Sequence, residues 1–234
     1  EGVASIINPF DMYAVEEALR IKEKLGGTVT VLSMGPPQAA ESLKEIIAMG
    51  VDEGVLLSDR AFAGSDTLAT SYALAKGIEK IGSVDLILCG KQAIDGDTAQ
   101  VGPEIAENLG IPHVTYVKKV NEINEKEITV ERMNEEGFER VQVPLPALLT
   151  VVKEINEPRL PSLKGKMRAK TIQIPIWSAE MIGADLDRTG LNGSPTWVKR
   201  IFIPELKSQG EIFEGSPEEQ VRSLVDAILN RKIV

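Results

Sequence analysis

Apolar residues fall at helical spacing in one stretch and in short unbroken runs in the next, and this exchange repeats through the first half of the chain. Ala14, Ala18, Ile21 and Leu25 mark one face of a helix. Asn8 stands where a capping residue belongs, with Pro9 at the first helical position, Asp11 in the first turn and Gly26-Gly27 as a stop. Strands are expected over 28–34, 54–57 and 84–89, and helices over 38–49 and 66–81. Such alternation predicts a parallel sheet covered by helices, with right-handed crossovers.

The third run, Val84-Asp85-Leu86-Ile87-Leu88-Cys89, is too short for a typical helix and too uniformly apolar for a one-faced strand, so it reads as buried parallel sheet. It passes straight into a polar turn and then into a helix through Ile105, Ala106 and Leu109, ending at Gly110. Gly90 and Gly96 permit unusual backbone angles, and Asp97 or Thr98 is expected to cap the helix. Free amides and the positive helix end would then face the crevice at the carboxyl edge of the sheet, where open α/β folds hold phosphorylated ligands. The same pattern also serves a plain βα turn, and neither a Walker A motif nor G-x-G-x-x-G is present, so the residues alone leave both readings open. The carboxylates of Asp95 and Asp97 would repel a diphosphate. They are expected to cap backbone groups or meet ribose hydroxyls while the amides meet phosphate.

Beyond Gly110 the rhythm changes to short β-rich segments over 113–120, 127–132, 138–143 and 147–152, which predict antiparallel hairpins at the sheet edge. From about residue 157 prolines are spaced through a stretch with few long apolar periods, and it reads as an extended arm. At its end Ser216, Pro217 and Glu219 fit a capping box, and Val221, Leu224, Val225, Ile228 and Leu229 share a helical face. A lone helix over 216–232 is marginal, so that face is expected to pack on something. The expected division is an α/β domain over 1–156, the candidate nucleotide-binding domain, and an arm over 157–234.

Composition narrows the function. The chain has 234 residues, 43% of them hydrophobic, enough to bury a substantial core. A formal net charge of -9 argues against a nucleic-acid surface and against attraction to anionic membranes. No apolar run approaches the length of a membrane span, so no membrane insertion is expected. Cys89 is the only cysteine and His113 the only histidine, which excludes an intrachain disulfide and a His/Cys metal cluster. No nucleophile or acid/base pair stands out, which suits a protein whose chemistry belongs to a cofactor.

At the level of motifs, GKQAIDGDTAQVGPEIAE closely resembles the nucleotide-binding signature of the electron-transfer flavoprotein beta subunits. Other segments are similar to that family in the right order. Asn8-Pro9-Phe10-Asp11 resembles its first ligand loop, and Val31-Leu32-Ser33-Met34-Gly35-Pro36 its next strand end. Asn156-Glu157-Pro158-Arg159, leading into Lys166-Met167-Arg168-Ala169-Lys170, resembles its dehydrogenase-recognition loop. Members of the family ordinarily begin with a further strand and pocket loop, and on this resemblance Glu1 lies after them.

The resemblance implies a Rossmann-like three-layer αβα fold with a mainly parallel sheet, an antiparallel edge and a C-terminal arm. It also implies a heterodimer, in which the arm wraps onto an alpha subunit, with Trp177 and Trp197 as anchors unless they are core. Asn8, Pro9, Phe10, Asp11 and Met34 resemble residues lining the adenosine half of the site. Asp95, Gly96, Asp97, Thr98, Gln100, Val101 and Gly102 resemble the loop holding phosphate. Leu163, amid Lys164, Lys166, Arg168 and Lys170, matches the hydrophobic anchor that meets an acyl-CoA dehydrogenase-type or other flavin dehydrogenase. Simple carriers of the family hold AMP, whereas bifurcating members hold a second FAD that accepts hydride from NADH, and DGDTAQVGPE resembles the latter. The expected location is the cytoplasm of a bacterium or archaeon, or the mitochondrial matrix of a eukaryote. The competing reading is an adenine-nucleotide-binding regulatory module, which an arm of this length disfavours.

Overall fold

The computed structural model describes residues 6–200, 202 and 210–231. Its elements run α1 (Pro9–Leu25), β1 (Thr30–Met34), α2 (Ala39–Met49), β2 (Glu53–Leu57), α3 (Thr67–Ile81), β3 (Leu86–Gly90) and α4 (Val101–Leu109). They continue with β4 (His113–Ile123), β5 (Glu127–Asn134), β6 (Gly137–Pro144), β7 (Ala147–Val151), α5 (Leu163–Thr171), β8 (Ile176–Trp177) and α6 (Pro217–Asn230). The expected βα alternation is present, and the fold is the α/β arrangement that the pattern implied.

The strands form two sheets. One has the order β1-β2-β8 and is parallel throughout; the other has the order β3-β7-β4-β5-β6. In the second, β3, β7 and β4 are parallel while β4, β5 and β6 form antiparallel hairpins at the edge. The segment Ala147–Val151, grouped from sequence with those edge hairpins, instead lies in the middle as β7, hydrogen-bonded to β3 on one side and β4 on the other. Its unbroken run Ala-Leu-Leu-Thr-Val carries the physical reason: all five residues are buried, as only a strand covered on both faces requires.

Two helices sandwich β7. Leu149 and Val151 share a core with Ala14 of α1, and Leu148 shares one with Ile105 and Ala106 of α4. The neighbouring residues Val15 and Leu19 of α1 belong to a different core, with Ile46 and Ile47 of α2. Thus α1 packs against the cores of both sheets. On the far face, Leu32 and Leu74 contact the core built on Val55, Leu57 and Ala73 as well as the core beneath α4, which makes the interior continuous.

The structure divides into two compact units, Glu1–Trp197 and Val198–Val234. The domain boundary expected at 156/157 falls inside the first unit, because the following segment is tied down rather than extended. Asn156 donates to the Tyr13 carbonyl and to Glu17 at 3.0 Å each. In α5, Gly165 sits where a Cβ would lie 1.9 Å from the Ala48 carbonyl oxygen, and Arg168 donates to the carbonyls of Val51 and Asp52. β8 then adds to β2, packing the half-buried Trp177 against the core that holds Phe62 and Leu57, whereas Trp197 is exposed.

In the second unit, α6 has the capping box read from sequence, Ser216 with Glu219. Its residues Val221, Leu224, Val225 and Leu229 are exposed. Lys232, the expected helix end, lies outside the described residues. Among the described residues no helix is long and apolar enough to cross a membrane, and no cluster of His, Cys, Asp or Glu is placed to hold a metal ion.

Candidate functional site

The carboxyl end of β3 meets the start of α1, and this junction organises the site. Gly90 is required by proximity: a Cβ there would lie 2.6 Å from the Phe10 carbonyl carbon. The Gly90 amide donates to Asp11 Oδ1 at 2.7 Å, and Asn8 Nδ2 donates to Asp11 Oδ2 at 2.9 Å and to the Gln92 carbonyl at 2.8 Å. Burial pushes the Asp11 carboxyl above its usual range, with those hydrogen bonds from Asn8 and Gly90 opposing the shift. Asn8 occupies the N-cap position of α1 as expected, yet its side chain makes no cap hydrogen bond. It reaches across to the loop after β3 instead.

Residues 91–100 form that loop. Gly90 and Gly96 were expected to supply its unusual angles, but the left-handed residues are Asp97 (φ 48°) and Ala99 (φ 55°). Nothing lies within 4 Å of a Cβ built at Gly96. Nor do Asp97 and Thr98 cap the following helix: α4 begins at Val101, its N-cap is Gln100, and no side chain caps it. The Asp97 carboxylate is drawn away by the Gln92 side-chain amide, which spans the loop.

One consequence is a row of donors without protein partners. The amides of Thr98, Ala99, Gln100, Val101 and Gly102 make no hydrogen bond among the described residues. Two left-handed residues separated by one, followed by an uncapped helix start, give the kind of backbone that receives an anion. Gly102 permits this start to sit close to the sheet, since a Cβ there would lie 2.7 Å from Thr150 Cγ2. The Gln100 side-chain oxygen accepts from Thr67 Oγ1 at 3.2 Å, which ties the loop to α3.

Asn8, Phe10, Asp11, Asp97, Gln100, Val101 and Gly102 are thus joined by contacts running through α1, β3, the loop and α4. Pro9 is exposed at the first helical position, and Asp95, Gly96 and Thr98 are exposed along the loop. Met34 ends β1 and packs with Leu57 and Phe62, in a core separate from this junction. Leu163 opens α5, 78% exposed, so the segment expected as a loop is the first turn of a helix.

Sequence reasoning missed three residues here. Lys91 projects between two rings, its Nζ 5.1 Å from the Phe10 centroid and 5.7 Å from that of Tyr116. Tyr116 is left-handed (φ 58°) at a register shift between β4 and β7. Thr150 accepts the Tyr116 amide through Oγ1 at 3.2 Å. A left-handed tyrosine inside a strand leaves no sequence signal, because the bulge arises from three-dimensional pairing.

Cys89 lies beneath this surface. Burial above all, and the Asp11 charge, push its thiol up to about 12, so it is neutral and unreactive near pH 7. Among the described residues the buried Asn8 Oδ1 has no hydrogen-bond partner, nor has Glu104 Oε2 of α4. An unpaired buried acceptor on a residue bonded to the root of the loop that carries five unpaired amides fits a ligand that brings both hydroxyl donors and phosphate, as a nucleotide does.

Comparison with known proteins bears on the family. Residues 1–181 match the family model described as an electron transfer flavoprotein domain. An electron transfer flavoprotein subunit beta from Thermoanaerobacterium thermosaccharolyticum is 53% identical, covering 100% of this chain and 90% of that protein. The caffeyl-CoA reductase-Etf complex subunit CarD of Acetobacterium woodii is 52% identical over the same shares. Protein FixA of Bradyrhizobium diazoefficiens is 46% identical, covering 97% of this chain and 82% of the relative. On the strength of the matched domain and of relatives aligned along nearly the whole sequence, this chain belongs to the electron transfer flavoprotein beta-subunit family.

Proposed function

We propose that this chain is the beta subunit of a heterodimeric electron transfer flavoprotein, and that its crevice holds FAD, which takes hydride from NADH for flavin-based bifurcation. The observation that carries the reading is the loop over 92–102, with two left-handed residues, five unpaired amides and an unpaired acceptor on Asn8 beside it. The amides of residues 98–102 would take the diphosphate. Asn8 and the carboxylates of Asp95 and Asp97 would meet hydroxyl donors, keeping negative charge off the phosphates. FAD, when bound, supplies the electron-accepting ring, and no group of the protein needs to be a nucleophile.

Two further surfaces suit partners. The apolar face of α6 is exposed in its own unit, and we assign it to the alpha subunit. Leu163 stands exposed at the start of a helix bearing Lys164, Lys166, Arg168 and Lys170, and we assign it to a flavin dehydrogenase of the acyl-CoA type or a related partner. Its apolar side chain fills a partner pocket while the charges steer approach. The similarity to a caffeyl-CoA reductase-Etf subunit supports a CoA-linked partner.

Denaturing the purified heterodimer and counting released nucleotides tests the reading. Two FAD per complex, one of them reduced by NADH, is the expected result. One FAD and one AMP, in a complex inert toward NADH, would show a simple carrier subunit instead.

A further inference from the structure

Resting on the proposed presence of FAD, we infer that Lys91, Phe10 and Tyr116 form the wall for its redox-active ring, with the Lys91 ammonium holding the negative charge that the ring gains on reduction. Hydride adds two electrons and one proton to a neutral ring and leaves NAD+ behind. The ring therefore acquires one net negative charge, which a nearby cation stabilises.

Three observations converge on this wall. Lys91 is half-buried, and among the described residues it makes no salt bridge. Its Nζ lies instead over the faces of Phe10 and Tyr116, 5.1 and 5.7 Å from their centroids. A partly buried cation beside aromatic faces rather than a carboxylate retains its positive field for a ligand.

The second observation is the cost accepted to present Tyr116. Its left-handed backbone is disfavoured for a bulky side chain, yet the bulge is secured on both sides. Thr150 Oγ1 accepts its amide, while Arg132 donates to the Thr115 carbonyl and to Thr115 Oγ1 at 3.1 Å each. The ring so placed is not core filling, since Tyr116 is exposed. A strained residue held this firmly in a strand paired on both sides points to a surface that must keep its shape.

The third is continuity with the phosphate loop. Lys91 directly precedes Gln92, whose carbonyl accepts from Asn8 and whose side chain holds Asp97. Two aromatic faces and a free cation at the root of an anion-receiving loop complement a flat ring joined to a diphosphate.

The test compares the wild-type heterodimer with Lys91→Met, Lys91→Arg and Tyr116→Ala, measuring FAD per complex and the midpoint potential of each flavin by dye-coupled titration. Lys91→Met should keep two FAD while favouring the oxidised over the reduced form of one flavin by about tenfold, roughly 30 mV lower for a two-electron couple. Lys91→Arg should restore the wild-type potential. Tyr116→Ala should alter the visible circular dichroism of that same flavin. Two FAD with both potentials unchanged in Lys91→Met overturns the wall alone. If Lys91→Met does not assemble, unchanged flavin dichroism in Tyr116→Ala overturns it. A wild-type complex holding one FAD and one AMP overturns the bifurcating reading and the wall together.

Discussion

Arg159 closes a bidentate grip on Glu16, with Nε 2.8 Å from Oε2 and Nη2 3.0 Å from Oε1, while its backbone amide donates to Oε2 at 3.1 Å. Its guanidinium also reaches Glu23, and both carboxylates raise the Arg159 pKa above its already high value. Glu16 is only 5% exposed, so this pair takes a buried charge out of water and satisfies it fully. The segment leading to α5 is thereby fastened to the helix whose first turn builds the candidate site.

Replacing Arg159 with Met would leave the Glu16 carboxylate buried without its cation. Chemical denaturation should show a loss of about 3 kcal/mol, in the range for breaking one side of a buried pair. A loss below about 0.5 kcal/mol would mean that Glu16 relaxes to solvent. Because Asn156 holds the same segment independently, coupling to a dehydrogenase should weaken without loss of the fold.

Gly90 and Gly96 should separate sharply. Ala at Gly90 drives its Cβ against the Phe10 backbone and should destabilise the chain by about 1–3 kcal/mol through overpacking. Ala at Gly96 meets nothing within 4 Å and should change stability by no more than about 0.5 kcal/mol. Thermal melts of the two variants decide the matter, and equal melting temperatures would contradict the close approach.

Much of the frame was legible because it rests on periodicity. The helical spacing of Ala14, Ala18 and Ile21 and the apolar run into Cys89 placed α1 and β3 to within a few residues. The central position of β7 was not, since a five-residue apolar run states that both faces are covered but not which strands flank it. At the site, the motif located the loop while its mechanics stayed hidden. Asp97 looks like a cap in sequence, and only the fold brings Gln92 close enough to claim its carboxylate.

Asp59 provides a pH test. Amides of Ala61 and Ala179 donate to its carboxylate at 3.1 and 3.0 Å, and together with a smaller contribution from the Arg60 amide they outweigh desolvation and hold its pKa below the ordinary value of 3.8. A depressed folded-state pKa means that the stabilisation is complete above that ordinary value and is lost as pH falls through the folded one. Asp59→Asn should therefore lower the melting temperature at pH 7, and the gap from wild type should narrow as pH drops below about 4. A gap constant from pH 7 to pH 2.5 would assign the effect to geometry alone.

Leu163→Ala should leave the melting temperature within about 1 °C of wild type, since an exposed side chain contributes little to folding. Electron transfer from the heterodimer to its dehydrogenase should nevertheless slow by about tenfold at limiting concentration, the scale of one interface anchor. Undiminished transfer would remove Leu163 from the docking surface.

The placement of α1 bears on how the first unit comes apart. Consecutive residues Ala14 and Val15 are buried in different cores, one under each sheet. Neither sheet can then melt while the other keeps this helix in register, so amide hydrogens of β2 and β7 should exchange through one shared opening event.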